Sequence, residues 1–282
     1  MTFFDILFFA NVIISRLLSF PILLAVITVL LLGLLSILLK LVNIFGLIAG
    51  LIVGLSAALS TGWLVLAPMI LFHLVAGFAT KIGYSKKSLI GEAQPSKGAR
   101  GGTQVLANGA IPAIFSVLFS VSGNFIYLIV AWGALSMKTA DTMGSEIGML
   151  SNNTRLIIKP WKKIKPGTPG GITPLGTVAS LGGAFISSII LPFLYPVKSP
   201  FLLVISIFLS GFIGTFVDSL LGYFAEEKYR CPVCGVISHH KIHCDTPGIH
   251  VGGIKWFSNN IVNLVSSFIA GILAVFVYSI VG

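Results

Sequence analysis

The chain runs to 282 residues, 56% of them hydrophobic and only 9% charged, with a mean hydropathy of +1.02. Soluble domains carry roughly 25% charged residues, so this composition excludes an ordinary water-soluble fold. The net charge of +10, from eighteen Lys and Arg against eight Asp and Glu, needs no nucleic-acid partner, because basic loops beside membrane spans account for it.

Residues 1–15 are apolar but interrupted by Asp5 and Asn11, which reads as a short interfacial helix rather than a cleaved signal peptide. Eight apolar runs follow, each long enough to cross about 30 Å of hydrocarbon. They lie near 17–39, 41–60, 62–80, 101–120, 123–140, 174–195, 200–222 and 258–280. The expected fold is therefore all-α: a polytopic transmembrane helix bundle of about eight spans, one integral membrane domain over 1–282. Neither an internal repeat nor a low-complexity linker divides it. Fifteen of the eighteen basic residues fall in loops 81–100, 138–173 and 223–257, and Lys40 joins them on the same side. The excess of Lys and Arg marks that side as cytoplasmic and places both termini outside a cell membrane.

The loops also carry the chemistry. Loop 81–100 brings Lys97 and Arg100 to a span whose Gln104, Asn108 and Pro112 follow at helical spacing. Either these amides join helices, or they wall a site with Lys97 and Arg100 reaching phosphate at its mouth. The second loop opens Asp141-Thr142-Met143-Gly144-Ser145-Glu146 and continues to Arg155. Asp141 and Glu146 stand roughly 140° apart on an ideal helix, so both reach one metal only if the helix ends or bends near Gly144. A solvated helix end is the simpler alternative. Next, Gly167, Thr168, Gly170 and Gly171 form a glycine-rich turn ahead of Thr173 as N-cap and Pro174 at the first helical position. Such a helix start, continued by Thr177, favours an anion, although a plain tight loop also uses Gly and Pro.

Asp218 lies inside an apolar span, in G-T-F-V-D-S-L-L-G. A carboxylate at membrane depth costs roughly 2.5–3.5 kcal/mol and persists only when paired, metal-bound or facing a polar cavity. Lys and Arg occur only near span ends, so an ion pair is discounted and Mg²⁺ shared with a phosphate is the economical partner. Asn259, Asn260 and Asn263 open the last span and suit a base, ribose or phosphate. Within 223–257, Cys231-Pro-Val-Cys234 is followed by His239, His240, His243 and Cys244. Three Cys and one His compose a structural zinc site, with His243 as the fourth ligand or, more easily in geometry, His239 or His240.

Six stretches, in order along nearly the whole chain, resemble one membrane family: S-K-G-A-R-G-G-T-Q-V-L-A-N-G, A-D-T-M-G-S-E-I-G, P-G-T-P-G-G-I-T-P-L-G-T, G-T-F-V-D-S-L-L-G, C-P-V-C with H-C, and W-F-S-N-N-I-V-N. That family contains transmembrane protein 19 and the phytyl-phosphate kinase of vitamin E synthesis, and is distantly similar to dolichol kinases and phosphatidate cytidylyltransferases. The resemblance implies phosphoryl transfer from a nucleoside triphosphate, CTP being the expected donor, to a prenyl monophosphate.

On this reading Asp141, Glu146 and Asp218 hold Mg²⁺, while Arg155, Lys97 and Arg100 meet phosphates. The 167–177 turn cradles the triphosphate, and the apolar span faces hold the prenyl tail. An acceptor that is already a phosphate needs little general base. Two rivals remain at this stage: a cytidylyltransferase that leaves a CDP-lipid, and a transporter or flippase for a phosphorylated lipid or small anion. An oligomer is compatible with all three.

Overall fold

The computed structural model describes residues 19–89 and 99–281; the expected interfacial helix at 1–15 and Lys97 lie outside the described residues. Ten helices are found among them: α1 Phe20–Leu38, α2 Ile44–Thr61, α3 Trp63–Lys81, α4 Tyr84–Leu89, α5 Gly102–Ser122, α6 Phe125–Gly148, α7 Pro174–Ile189, α8 Leu191–Leu194, α9 Pro200–Phe224 and α10 Asn259–Val281. Local chemistry starts several of them. Asn43 accepts the Gly46 N–H at 2.9 Å to cap α2, and Thr173 accepts the Gly176 N–H at 2.9 Å to cap α7, where Pro174 follows as expected.

Among the described residues, seven segments are long and apolar enough to cross a membrane: α1, α2, α3, α5, the α7–α8 stretch, α9 and α10. The eighth expected run is α6, whose 24 residues extend roughly 36 Å. It falls short in apolar composition, not in length. The reason is its position, for α3, α5, α7, α9 and α10 all pack against it. Every residue from 128 to 140 is buried, so α6 presents protein rather than lipid with an apolar face. It also passes the expected boundary at 140 and stays helical to Gly148, which places Asp141 and Glu146 on a packed helix instead of in a loop.

Small residues allow this enclosure. A Cβ on Gly183 of α7 would stand 2.9 Å from Thr139 O, and one on Gly211 of α9 would stand 2.1 Å from Ser136 Oγ. Close approach through such faces is how helices gain dispersion energy where lipid offers no hydrophobic drive. The apolar core gathers around Leu128, Trp132 and Leu135 with Leu203, Ile207 and Ala274, and Trp132 Nε1 donates to Leu64 O at 2.8 Å.

Two of the loops fold into small sheets that the sequence did not announce. β1 Arg155–Leu156 lies between β2 Lys159–Lys163 and β3 Gly171–Ile172, antiparallel to both. After α9, β4 Lys228–Arg230 lies between β5 Ile237–Ser238 and β8 Ile249–Gly252, and β6 Ile242–His243 pairs with β7 Thr246–Pro247. Strands of two to five residues are too short to show an alternating pattern. The bundle itself is helical, as expected.

Candidate functional site

A cavity of about 570 Å³ opens where α6, α7, α9 and α10 meet the loops. Residues from all three basic loops line it, so those loops converge on one end of the bundle. Asp141 comes from α6 and Asp218 from α9, and both face this space. Ser266 Oγ on α10 donates to Asp218 Oδ2 at 2.7 Å. The turn contributes Gly167, Thr168, Gly170, Gly171, Thr173 and Thr177, and α10 contributes Asn259 and Asn260. Gln104 completes the wall from α5. At Gly170 the backbone has φ +79° and a Cβ would stand 2.6 Å from Tyr223 Cβ, so both conformation and contact demand glycine.

An ion pair does occupy the bundle, contrary to the sequence expectation. Lys138 lies on α6 with 0% exposure, and its Nζ is 3.2 Å from Asp141 Oδ2. The same ammonium donates to Asn263 Oδ1, and Asn263 Nδ2 donates to Asn259 Oδ1 at 2.7 Å. Asn263 thus acts behind the wall rather than in it. Asp218 is within electrostatic reach of both Asp141 and Lys138. The signal missed was spacing: Lys138 and Asp141 are i and i+3, neighbours on a helix surface once the helix continues past 140.

Glu146 departs from its expected place beside the two aspartates. The helix continues unbroken through Gly144 to Gly148, so the wide angular separation from Asp141 persists. Glu146 borders the cavity, yet both oxygens are engaged. Lys87 Nζ meets Oε2 at 2.6 Å and Thr80 Oγ1 donates to Oε1 at 2.9 Å. Arg100 is also corrected. It turns inward, Nη2 donating to Thr80 Oγ1 at 3.3 Å with its guanidinium over the Phe72 ring, instead of standing at a phosphate mouth. Asn108 and Arg100 both line a second, apolar cavity of about 140 Å³ among α1, α2, α3 and α5. Arg155 is engaged elsewhere as well: Nε donates to Asn153 Oδ1 at 2.9 Å, and Nη1 to the carbonyls of Pro160 and Trp161. It is absent from the cavity lining.

The Cys/His loop supplies two features. Cys231, Cys234, His243 and Cys244 place their ligand atoms within 4.8 Å of one another, so this group can hold a metal ion. His243 is the member of the set, not His239 or His240. Cys244 and Asp245 take positive φ, and the turn brings Cys244 Sγ to 3.2 Å from His243 Nδ1. The backbone N–H of Cys234, with that of Val233, draws the Cys231 thiol down to about 6, while burial and the neighbouring thiols push Cys244 up to about 11. Metal binding to such a group needs deprotonated sulfur, and three sulfurs with one nitrogen suit Zn²⁺. Meanwhile His239 and His240 line the large cavity, which sequence reasoning treated only as alternative metal ligands. Burial holds His239 down to about 3, so it is neutral near physiological pH.

Several proteins are similar to this chain. The uncharacterized membrane protein MJ0933 of Methanocaldococcus jannaschii is 28% identical over 217 residues, 77% of each chain. Protein PGR of Arabidopsis thaliana is 28% identical over 244 residues, 75% of this chain and 82% of its own. Protein VTE6, chloroplastic, of the same plant is 25% identical over 221 residues, 77% of this chain and 58% of its own. No solved structure matches with significance. The model of the family described as integral membrane protein DUF92 matches residues 27–271, and the chain belongs to that family.

Proposed function

We propose that this protein is a membrane-embedded kinase that transfers a phosphoryl group from a nucleoside triphosphate, CTP on the family resemblance, to a prenyl monophosphate. The observation that carries this reading is the convergence on one cavity of two carboxylates from different helices, a capped helix N-terminus and a row of amides. An oxygen of the acceptor phosphate forms the new P–O bond to the γ-phosphorus, and the nucleoside diphosphate leaves. Such transfer depends on positioning and neutralised charge more than on covalent chemistry by the protein.

The oxygen donors of Asp141 and Asp218, with hydroxyls and amides around them, suit a hard divalent cation; Mg²⁺ bound there supplies charge that neutralises the phosphates. The 167–177 turn and the positive end of α7 hold phosphate oxygens, since that end of a helix favours anions. Asn259, Asn260 and Gln104 orient the nucleotide. Lys97 is retained as a phosphate contact from the 90–98 segment. No general base is required, which agrees with His239 being neutral rather than poised near pH 7. Cys231, Cys234, His243 and Cys244 would hold Zn²⁺, which would keep the loop folded and His239 and His240 on the wall. The excess of Lys and Arg in the three loops supports a cytoplasmic face for this end of the bundle, where nucleotide is available.

The test is purified protein in detergent with geranylgeranyl monophosphate, Mg²⁺ and each of the four nucleoside triphosphates. The expected products are geranylgeranyl diphosphate and a nucleoside diphosphate, best with CTP. Pyrophosphate with a CDP-lipid would replace kinase by cytidylyltransferase. No nucleotide consumption with any donor would overturn both.

A further inference from the structure

Lys138 has no role in the reading above, yet its side chain is among the most deeply buried charged groups of the described residues. Its ammonium is fully buried in the central helix, and a buried cation is retained only when paired and hydrogen-bonded. The partners are Asp141 on its own helix and Asn263 on α10, with Asp218 of α9 in electrostatic range. Two carboxylates therefore face one internal ammonium. Resting on the assignment of a divalent cation to Asp141 and Asp218, we propose that Lys138 is the resident counter-cation of this site and limits it to a single divalent ion.

The charges argue for this directly. Two carboxylates against one ammonium leave one negative charge, and one divalent ion reverses it to a single positive charge. Before nucleotide binds, a second divalent ion would leave a large uncompensated positive charge beside low-dielectric helix walls, where like charges repel far more strongly than in water. Asn263 gives the ammonium a second acceptor, so Lys138 is held in place when Asp141 turns to a metal. Asn259 in turn braces Asn263 and reaches the cavity itself, which links the counter-cation to the wall that meets the nucleotide. Lys138 is a positioning residue: it acts on bound ions through Asp141 and meets neither substrate directly.

Mn²⁺ binding to the purified full chain in detergent, followed by electron paramagnetic resonance without substrate, reads this independently of turnover. The wild type is expected to bind one Mn²⁺ per chain, competed by Mg²⁺, and Asp218→Asn to lose it. Lys138→Gln removes the repelling charge and should bind Mn²⁺ at least ~10-fold more tightly. Lys138→Arg, which keeps the charge, should stay near wild type. A purely structural lysine would give weaker or unchanged binding on neutralisation, and that result overturns the proposal. Lys138→Met, of similar length, serves as a second neutral variant if the glutamine protein fails to fold. Failure of the wild type to bind, or indifference to Asp218→Asn, would instead remove the cation site itself, so the two failures are distinguishable.

Discussion

Helix α6 contributes to two lysine–carboxylate pairs, Lys138–Asp141 within the helix and Glu146 with Lys87 of α4, and they have opposite surroundings. Lys87 and Glu146 are 1% and 3% exposed, and Thr80 and Arg100 close the group, so that both carboxylate oxygens are engaged. Lys138 and Asp141 pair at 3.2 Å, but the Asp141 side chain keeps 20% exposure and faces a large cavity that Asp218 also lines. The first pair is closed. The second has acceptor capacity left over, pointed at space a ligand can fill. A buried ion pair is weak evidence of function by itself. The discriminating observation is whether a charged group still has unspent lone pairs and somewhere to direct them.

That contrast can be broken by mutation. The largest effect is expected from Asp218→Asn, which keeps a partner for Ser266 and the side-chain volume but removes the charge: turnover should fall at least ~100-fold with the unfolding temperature nearly unchanged. Wild-type rates in that variant would take Asp218 out of the site. Glu146→Gln should do the reverse. It strands the Lys87 and Arg100 charges in a closed environment and should cost roughly 3 kcal/mol of stability, while activity per folded molecule stays within a few-fold. Chemical denaturation in detergent together with active-fraction measurement checks both halves of that statement.

The Cys/His loop sharpens the same comparison from outside the bundle. A Cys231→Ser, Cys234→Ser double variant should lose about one zinc per chain by elemental analysis. It should also lower turnover by roughly tenfold, because His239 and His240 would leave the cavity wall. Full activity in a metal-free preparation would reduce the loop to a surface feature. The smallest effect belongs to Thr173→Ala. It removes one capping bond to Gly176 and should cost about 1 kcal/mol, with a modest rise in nucleotide KM.

Much of this was legible in the sequence. Span positions followed from apolar length, the start of α7 from Thr173 and Pro174, and the metal group from the spacing of Cys231, Cys234 and Cys244. The convergence of three basic loops on one cavity also agrees with their shared charge. Other features were hidden for physical reasons. The extension of α6 to Gly148 depends on five helices enclosing it, a tertiary fact that hydropathy along one segment does not carry. A span ending near 140 makes Lys138 a loop residue and leaves Glu146 free to join Asp141. Continuous helix reverses both, bringing Lys138 onto the face of Asp141 and turning Glu146 toward Lys87. Arg100 was misread because a basic residue at a span end ordinarily meets water or phosphate, whereas here Thr80 and the Ala76 carbonyl receive it inside the protein. His239 and His240, expected only as alternatives to His243 beside the cysteines, line the cavity instead, because tertiary folding of the loop decides which histidines join the cysteine group and which face the bundle.

The account is tested most directly by following the γ-phosphoryl group itself. Purified wild-type protein and Asp141→Asn are incubated side by side with γ-labelled CTP, geranylgeranyl monophosphate and Mg²⁺, and the lipid products are separated. The prediction is label in geranylgeranyl diphosphate with wild type and none with Asp141→Asn. Equal labelling by the two proteins, or label that never enters the lipid, would contradict the assignment of phosphoryl transfer to the Asp141–Asp218 cavity.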